Sequence, residues 1–338
     1  SRGLGDVYKR QIINSGKISN KGWEISVSGV PVKVKNFEWK TIFNWSKNNS
    51  MVESLPEGID KIQIGSGVYN VKSYAEVGKP YGAIYAKTFK RDAEGYILCQ
   101  LDGSPKEGQD YEYLGCVQAD WRGGWNNVFR LGNFSFSVMF DFQKGGKFFS
   151  QTSIQSSVDG QSVKSLEGRD ADFFSRKILG ESDEERYGFM RPQNANTPTA
   201  NGQIYPDWGR PKGVVLPNCR YDEDVEGLAG QQVLGYCTPE RYWMHYTSRD
   251  ISRFIYDASY VKLREITVSY DLPKKWLRKT PFQTFRVAAV GRNIATLFAN
   301  TPHGLDPQAT STTGNAQGFE RGFNLPSATY GFDIKVSF

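Results

Sequence analysis

Apolar and polar residues alternate along several stretches of this chain, most cleanly over the last nine residues. Tyr330, Phe332, Ile334, Val336 and Phe338 fall on one face, and Gly331, Asp333, Lys335 and Ser337 on the other. A period of two marks a β-strand with one apolar and one polar face. Phe134, Phe136, Val138, Phe140 and Phe142 repeat the pattern, as do Phe37, Trp39, Thr41, Phe43 and Trp45. Shorter runs are Trp23, Ile25 and Val27, then Ile266, Val268, Tyr270 and Leu272, and, more weakly, Phe285, Val287 and Ala289. Trp121 to Phe129 is the poorest match, because Gly123 and Gly124 interrupt it. The pattern predicts seven strands, near 21–32, 36–47, 120–130, 133–146, 260–272, 283–295 and 328–338.

The connections alternate in length. Those at 33–35, 131–132 and 273–282 are short, and those at 48–119, 147–259 and 296–327 are long. Long structureless loops are unusual in a compact soluble domain. Outer-membrane barrels combine short periplasmic turns with long extracellular loops. The expected fold is therefore all-β: about seven antiparallel strands forming the C-terminal portion of a large transmembrane β-barrel. Its long loops are extracellular and its C-terminus periplasmic. The terminal strand, with Tyr330, Phe332, Ile334, Val336 and a final Phe338, resembles the signal read by the bacterial barrel-assembly machinery. The competing reading is a soluble secreted β-sandwich that binds carbohydrate through exposed aromatics and buries one strand face. Small hairpins and short helices are expected inside the loops, since Tyr81, Ile84, Tyr85, Phe89 and the Tyr242–Tyr246 run are too aromatic for disorder.

Composition supports the barrel. Only 38% of the residues are hydrophobic, and no run approaches the ~18 apolar residues of a membrane helix. Aromatics reach 14% and glycines number 35, which suits strands, turns and aromatic girdles. The net charge is +6, but Lys33, Lys35, Lys274, Lys275 and Arg278 are scattered, unlike the basic stripe of a nucleic-acid binder. Residues 1–11 lack the apolar core of an export signal and read as a non-native leader, which leaves 12–338 as the folded part.

Candidate chemistry is sparse. No catalytic motif, cofactor-binding motif or zinc-ligand spacing occurs, and the two histidines, His245 and His303, are far apart. The chain therefore reads as a non-enzyme without a cofactor or metal. Cys99, Cys116, Cys219 and Cys237 all fall in the long loops. They are either free thiols or, in an oxidising compartment, nearest-neighbour disulfides Cys99–Cys116 and Cys219–Cys237. Asp222, Glu223, Asp224 and Glu226 read as solvated charge or as a calcium site without the usual loop spacing. Tyr205, Trp208, Tyr242, Trp243 and Tyr246 either contact an oligomeric substrate or pack the loops. Glu24, Glu38, Lys40, Lys262, Arg264, Asp333 and Lys335 fall on the polar strand face, where they line a solute path or need only water and partners.

Several segments, in order, resemble the SusC/RagA family of TonB-dependent transporters. They are NKGWE at 20–24, FEWKTIFNWSKN at 37–48, GKPYGAIY at 78–85, WRGGWNN at 121–127 and DFQKGGK at 141–147. The most diagnostic is DASYVKLREITVSYDLP at 257–273, followed by VGRNIATL at 290–297, GLDP at 304–307 and LP at 325–326. The resemblance implies a plugged barrel of about 22 strands, of which this chain would hold about a third and no plug. It also implies TonB-driven uptake of a large nutrient, an oligosaccharide or peptide. A SusD-type surface lipoprotein would be the partner, outer-membrane lipid the surroundings, and the TonB complex would act through the missing plug.

Overall fold

The computed structural model describes residues 16–167, 214–237, 239–302, 304–309, 317–322 and 327–338. All seven expected strands are present. They are β1 (Lys17–Val34), β2 (Phe37–Ser54), β3 (Trp121–Leu131), β4 (Phe134–Lys144), β5 (Tyr260–Asp271), β6 (Thr284–Ala299) and β7 (Thr329–Ser337). They form one sheet in chain order, every neighbouring pair antiparallel.

The register turns each strand's alternation into a property of the whole sheet. One row reads Val32, Trp39, Phe129, Phe136, Val268, Ala289 and Phe332. The Trp39 and Phe129 rings stack at 5.9 Å and those of Phe129 and Phe136 at 6.2 Å. The neighbouring row on the opposite face reads Lys33, Glu38, Arg130, Ser135, Ser269, Ala288 and Asp333. The apolar face is open: Trp23, Phe134 and Phe332 are all exposed. A β-sandwich would bury this face against a second sheet. None among the described residues covers it, and the sandwich reading is set aside.

Gly123 explains why β3 alternates poorly. It sits on the apolar face between Trp45 and Phe142. A Cβ there would stand 2.1 Å from the Phe142 ring and 2.9 Å from the Asn44 carbonyl oxygen. The ring covers the glycine and supplies the apolar surface that the position itself lacks. Tyr330 covers Gly291 of β6 in the same way, its ring 3.2 Å from where a Cβ would be.

β1 and β2 each run for 18 residues, whereas a tilted strand crosses a bilayer in about 9–11. Their surplus lies at the end that carries the long connections. Those connections are folded. The first contains a four-stranded sheet of Lys61–Ser66, Lys72–Glu76, Ala83–Ala86 and Glu112–Cys116. Ile97–Cys99, also from the first, pairs parallel with Val214–Tyr221 of the second, which pairs with Gln232–Cys237. Lys147–Ser150 pairs with Ile255–Asp257 and, in parallel, with Phe319–Glu320 of the third. Phe149, Ile154, Ile251, Phe254 and Phe319 close a core around that contact.

Helix α1 (Gln151–Val158) starts where Ser150 caps the Ser153 amide, 3.1 Å away. Glu320, 1% exposed, accepts from the Ser150 hydroxyl at 2.6 Å, the Thr152 hydroxyl at 2.6 Å and the Thr152 amide at 3.2 Å. A carboxylate suits the positive end of a helix, and here it also ties the third connection to the second.

Phe332 is 86% exposed, so in water its replacement would change stability by no more than ~0.5 kcal/mol. In lipid an arginine costs up to ~2–4 kcal/mol at mid-bilayer. Phe332→Arg in a full-length receptor should therefore lower the urea midpoint of the bilayer-folded protein, and Asp333→Asn on the polar face should not. An unchanged midpoint for Phe332→Arg would remove the lipid assignment of this face.

Burial pushes the Asp222 carboxyl up, but hydrogen bonds from Lys106 and Lys90 outweigh it and hold it at about 2. Asp257 is likewise held at about 2, against burial, by the Ser259 hydroxyl and amide. Both values lie below the ordinary 3.8, so their contribution is complete above that value and is lost as pH falls toward 2. Pepsin should begin to cut the folded loops within that window, and Asp222→Asn should shift the onset upward; equal onset in both proteins would contradict this.

Candidate functional site

The polar face is richest where β4 and β5 meet the long connections. Leu263 pairs with Phe140 and Glu265 with Met139, which leaves Arg264 as an extra residue in β5. Such a bulge re-aims a side chain. The register against β6 also shifts between Leu263 and Glu265, and Asn293 there takes a positive φ of 51°. Arg264 donates to Asn293 Oδ1 at 2.8 Å and to Gln308 Oε1 at 2.8 Å, and it ion-pairs with Asp141.

Lys262, one turn of the pleat away, is 5% exposed. Its ammonium reaches Asp306 at 2.6 and 2.7 Å and Gln308 Oε1 at 2.9 Å. Gln308 Nε2 donates to the Tyr260 hydroxyl at 2.5 Å, and that hydroxyl donates to Asp141 at 3.4 Å. A buried ion pair persists only when further hydrogen bonds satisfy its remaining donors and acceptors. Gln308 and Tyr260 do so here, and the network clamps the 304–309 segment onto the sheet.

A cavity of about 420 Å³ opens beside the clamp, lined by Arg122, Asp141, Gln143, Lys147, Tyr260 and Gln308 among others. A second of about 620 Å³ lies along the same face, next to Glu24, Ser26, Asn44, Ser46, Arg122 and Asp141. Donors and acceptors dominate the first, and in the second they share the wall with Ile25 and Trp45. Such walls suit hydrogen bonding to a hydroxyl- or amide-rich solute.

Of the polar residues expected on this face, Lys262 and Arg264 enter the clamp and Glu24 lines the second cavity. Glu38 pairs with Lys33 at 3.2 Å, away from them. Asp141, Tyr260, Asp306 and Gln308 were not singled out by sequence. Their signal was present: KLR at 262–264 and GLDP at 304–307 are two resemblance motifs that meet in space.

The aromatic candidates divide. Tyr205 and Trp208 lie outside the described residues, as does His303. Tyr242, Trp243 and Tyr246 are 0%, 1% and 2% exposed. They pack in a core with Phe89, Ile97 and Leu216, and Trp243 Nε1 donates to the Glu167 carbonyl at 3.1 Å. Of the two alternatives for these three residues, their burial favours loop packing. Asp222 is also buried, its carboxylate held by Lys90 at 2.9 Å and Lys106 at 2.8 Å, and Asp224 pairs with Lys106. Lysines thus occupy the oxygens that a calcium ion would need. Among the described residues, no group of three or more His, Cys, Asp or Glu is placed to hold a metal.

Neither expected cysteine pair forms. Cys116 lies in the four-stranded sheet with its sulfur 3.4 Å from the Tyr81 carbonyl oxygen, in a different sheet from Cys99. Cys219 stands opposite Val233 while Cys237 stands opposite Val214. That offset of several residues, at ~3.4 Å each, is too long for a disulfide. Cys99 instead shares a core with Cys219, on the strand paired parallel to its own.

No family model matches the chain. It is 24% identical over 342 aligned residues to TonB-dependent receptor P3 of Formosa agariphila, covering 95% of this chain and 28% of that protein. It is 27% identical to TonB-dependent receptor P26 of the same organism over 42% of this chain and 16% of the relative. The chain thus spans under a third of the length of these relatives. Among solved structures, the RagAB peptide transporter superposes with a TM-score of 0.55 at 14% identity, over 96% of this chain and 30% of that one. The RagAB peptide importer in its open-open state gives 0.53 at 15%, over 96% and 29%. The strand order, the open apolar face and these likenesses agree: the chain is similar in sequence to TonB-dependent receptors and shares the barrel-wall fold of the RagAB transporter structures.

Proposed function

We propose that this chain forms part of the wall of an outer-membrane transporter that takes up large nutrients, glycan or peptide fragments, with TonB supplying the energy. The observation that carries this reading is the two-faced sheet, apolar and open on one side and polar with two cavities on the other. Lipid satisfies the first face and a hydrated solute path the second. The relatives carry receptor and transporter names, which supports transport over catalysis.

Residues 12–338 are the wall unit in this reading. In a receptor of the relatives' length, the plug engaged by TonB lies outside this sequence. The folded long connections face the cell exterior, where a SusD-type lipoprotein closes over them, and β7 ends on the periplasmic side. The name of the RagAB importer favours peptides as the solute; the hydroxyl, amide and carboxylate groups lining the cavities suit oligosaccharides equally.

Deleting 147–259 from a full-length receptor should abolish growth on the polymer it serves, with the barrel still present in the outer membrane. Unchanged growth on every glycan and peptide supplied would end this proposal. A milder variant tests the clamp. Asp306→Asn leaves the Lys262 charge buried without its counter-ion, a loss of ~3–5 kcal/mol in similar sites. The 304–309 segment should then become sensitive to added protease on intact cells, and uptake should fall; full protection would show that the ion pair does not hold the segment.

A further inference from the structure

Cys99 and Cys219 belong to one core although they lie 120 positions apart along the chain. Their strands run parallel, with Cys219 opposite Ile97 and Cys99 opposite Tyr221. Side chains alternate along a strand, so the two thiols share one face as diagonal neighbours on adjacent strands. They are 0% and 1% exposed, inside the core that also holds Phe89 and Trp243.

The backbone around them is fixed from several sides. The Asp222 amide donates to the Cys99 carbonyl at 3.0 Å, and Cys99 bridges to Pro105. Across the sheet stands Gly235, where a Cβ would lie 2.6 Å from the Cys219 sulfur. A side chain there would push that sulfur off its partner. Cys116 is in another sheet.

We propose that Cys99 and Cys219 are joined by a disulfide in the mature protein, a covalent staple between the first and second long connections. The two thiols give up two protons and two electrons. The acceptor is the disulfide of a periplasmic thiol-oxidase protein. One cysteine attacks it to form a mixed disulfide, and the second displaces the oxidase as a dithiol. Thiolates attack, and buried thiols resist ionisation. The exchange therefore precedes closure of the core, while the chain is still unfolded in the periplasm. Closing so long a loop removes much conformational freedom from the unfolded chain.

The inference rests on the exterior placement of these loops, so the test reads both. A full-length receptor carrying an epitope at the exposed turn 227–230 is isolated from outer membranes, denatured, and alkylated without reductant. It is then reduced and alkylated with a second reagent of different mass. Peptide masses should place the first reagent on Cys116 and the second on Cys99 and Cys219, with a Cys99–Cys219 linked peptide in the unreduced digest. In a Cys99→Ser variant, Cys219 should take the first reagent. Antibody access to the epitope on intact cells reports placement separately. If the epitope is accessible and Cys99 takes the first reagent, the staple is refuted. It is equally refuted if Cys219 keeps the second reagent in the Cys99→Ser variant. If the epitope is inaccessible, the exterior placement fails, and the peptide masses alone decide the staple: Cys99 on the first reagent refutes it.

Discussion

Backbone amides inside a bilayer have no water to bond, so each must find a partner within the protein. Every other feature of this chain follows from that constraint. It selects consecutive antiparallel strands, because short turns between neighbours leave no stretch of unpaired backbone at membrane depth. It makes the strands two-faced, since one side of the sheet meets hydrocarbon. It also sends irregular backbone to the ends of the strands, and here nearly all of it lies at one end, in the three long connections.

The same constraint governs the glycines of the wall. The sheet needs a continuous apolar surface, yet Gly123 and Gly291 present none of their own. Phe142 and Tyr330 lie over them from adjacent strands, so side chains of one strand complete the surface of the next. Packing across strands therefore matters more than the character of any single strand, and a strand that reads poorly in isolation can be sound in the sheet.

That point explains what the sequence disclosed and what it hid. Period-two alternation is local, and all seven wall strands were legible from it to within a few residues at most ends. The exceptions are β1 and β2, whose polar extensions carry no lipid face to betray them. The bulge at Arg264 was harder. Lys262, Arg264 and Glu265 look like a slip in the pattern, and only the partner strand shows that one residue is unpaired. The loop sheets were least legible, since pairing Ile97–Cys99 with Val214–Tyr221 depends on contacts remote in sequence. For that reason nearest-neighbour cysteine pairing failed, and Tyr242, Trp243 and Tyr246, rich in surface-binding chemistry, proved to be core.

The long hairpin of β1 and β2 has one more consequence. Its 18-residue strands are held rung by rung through backbone bonds, which do not depend on which side chains are present. The distance between the wall and the folded connections is thus set by the main chain. Side chains along the overhanging rungs divide: Ser50 and Val52 are buried against the first connection, whereas Asn48, Met51 and Glu53 are exposed. A change at the exposed positions can therefore alter the surface of the hairpin without moving the connections it carries, whereas a change at the two buried ones cannot.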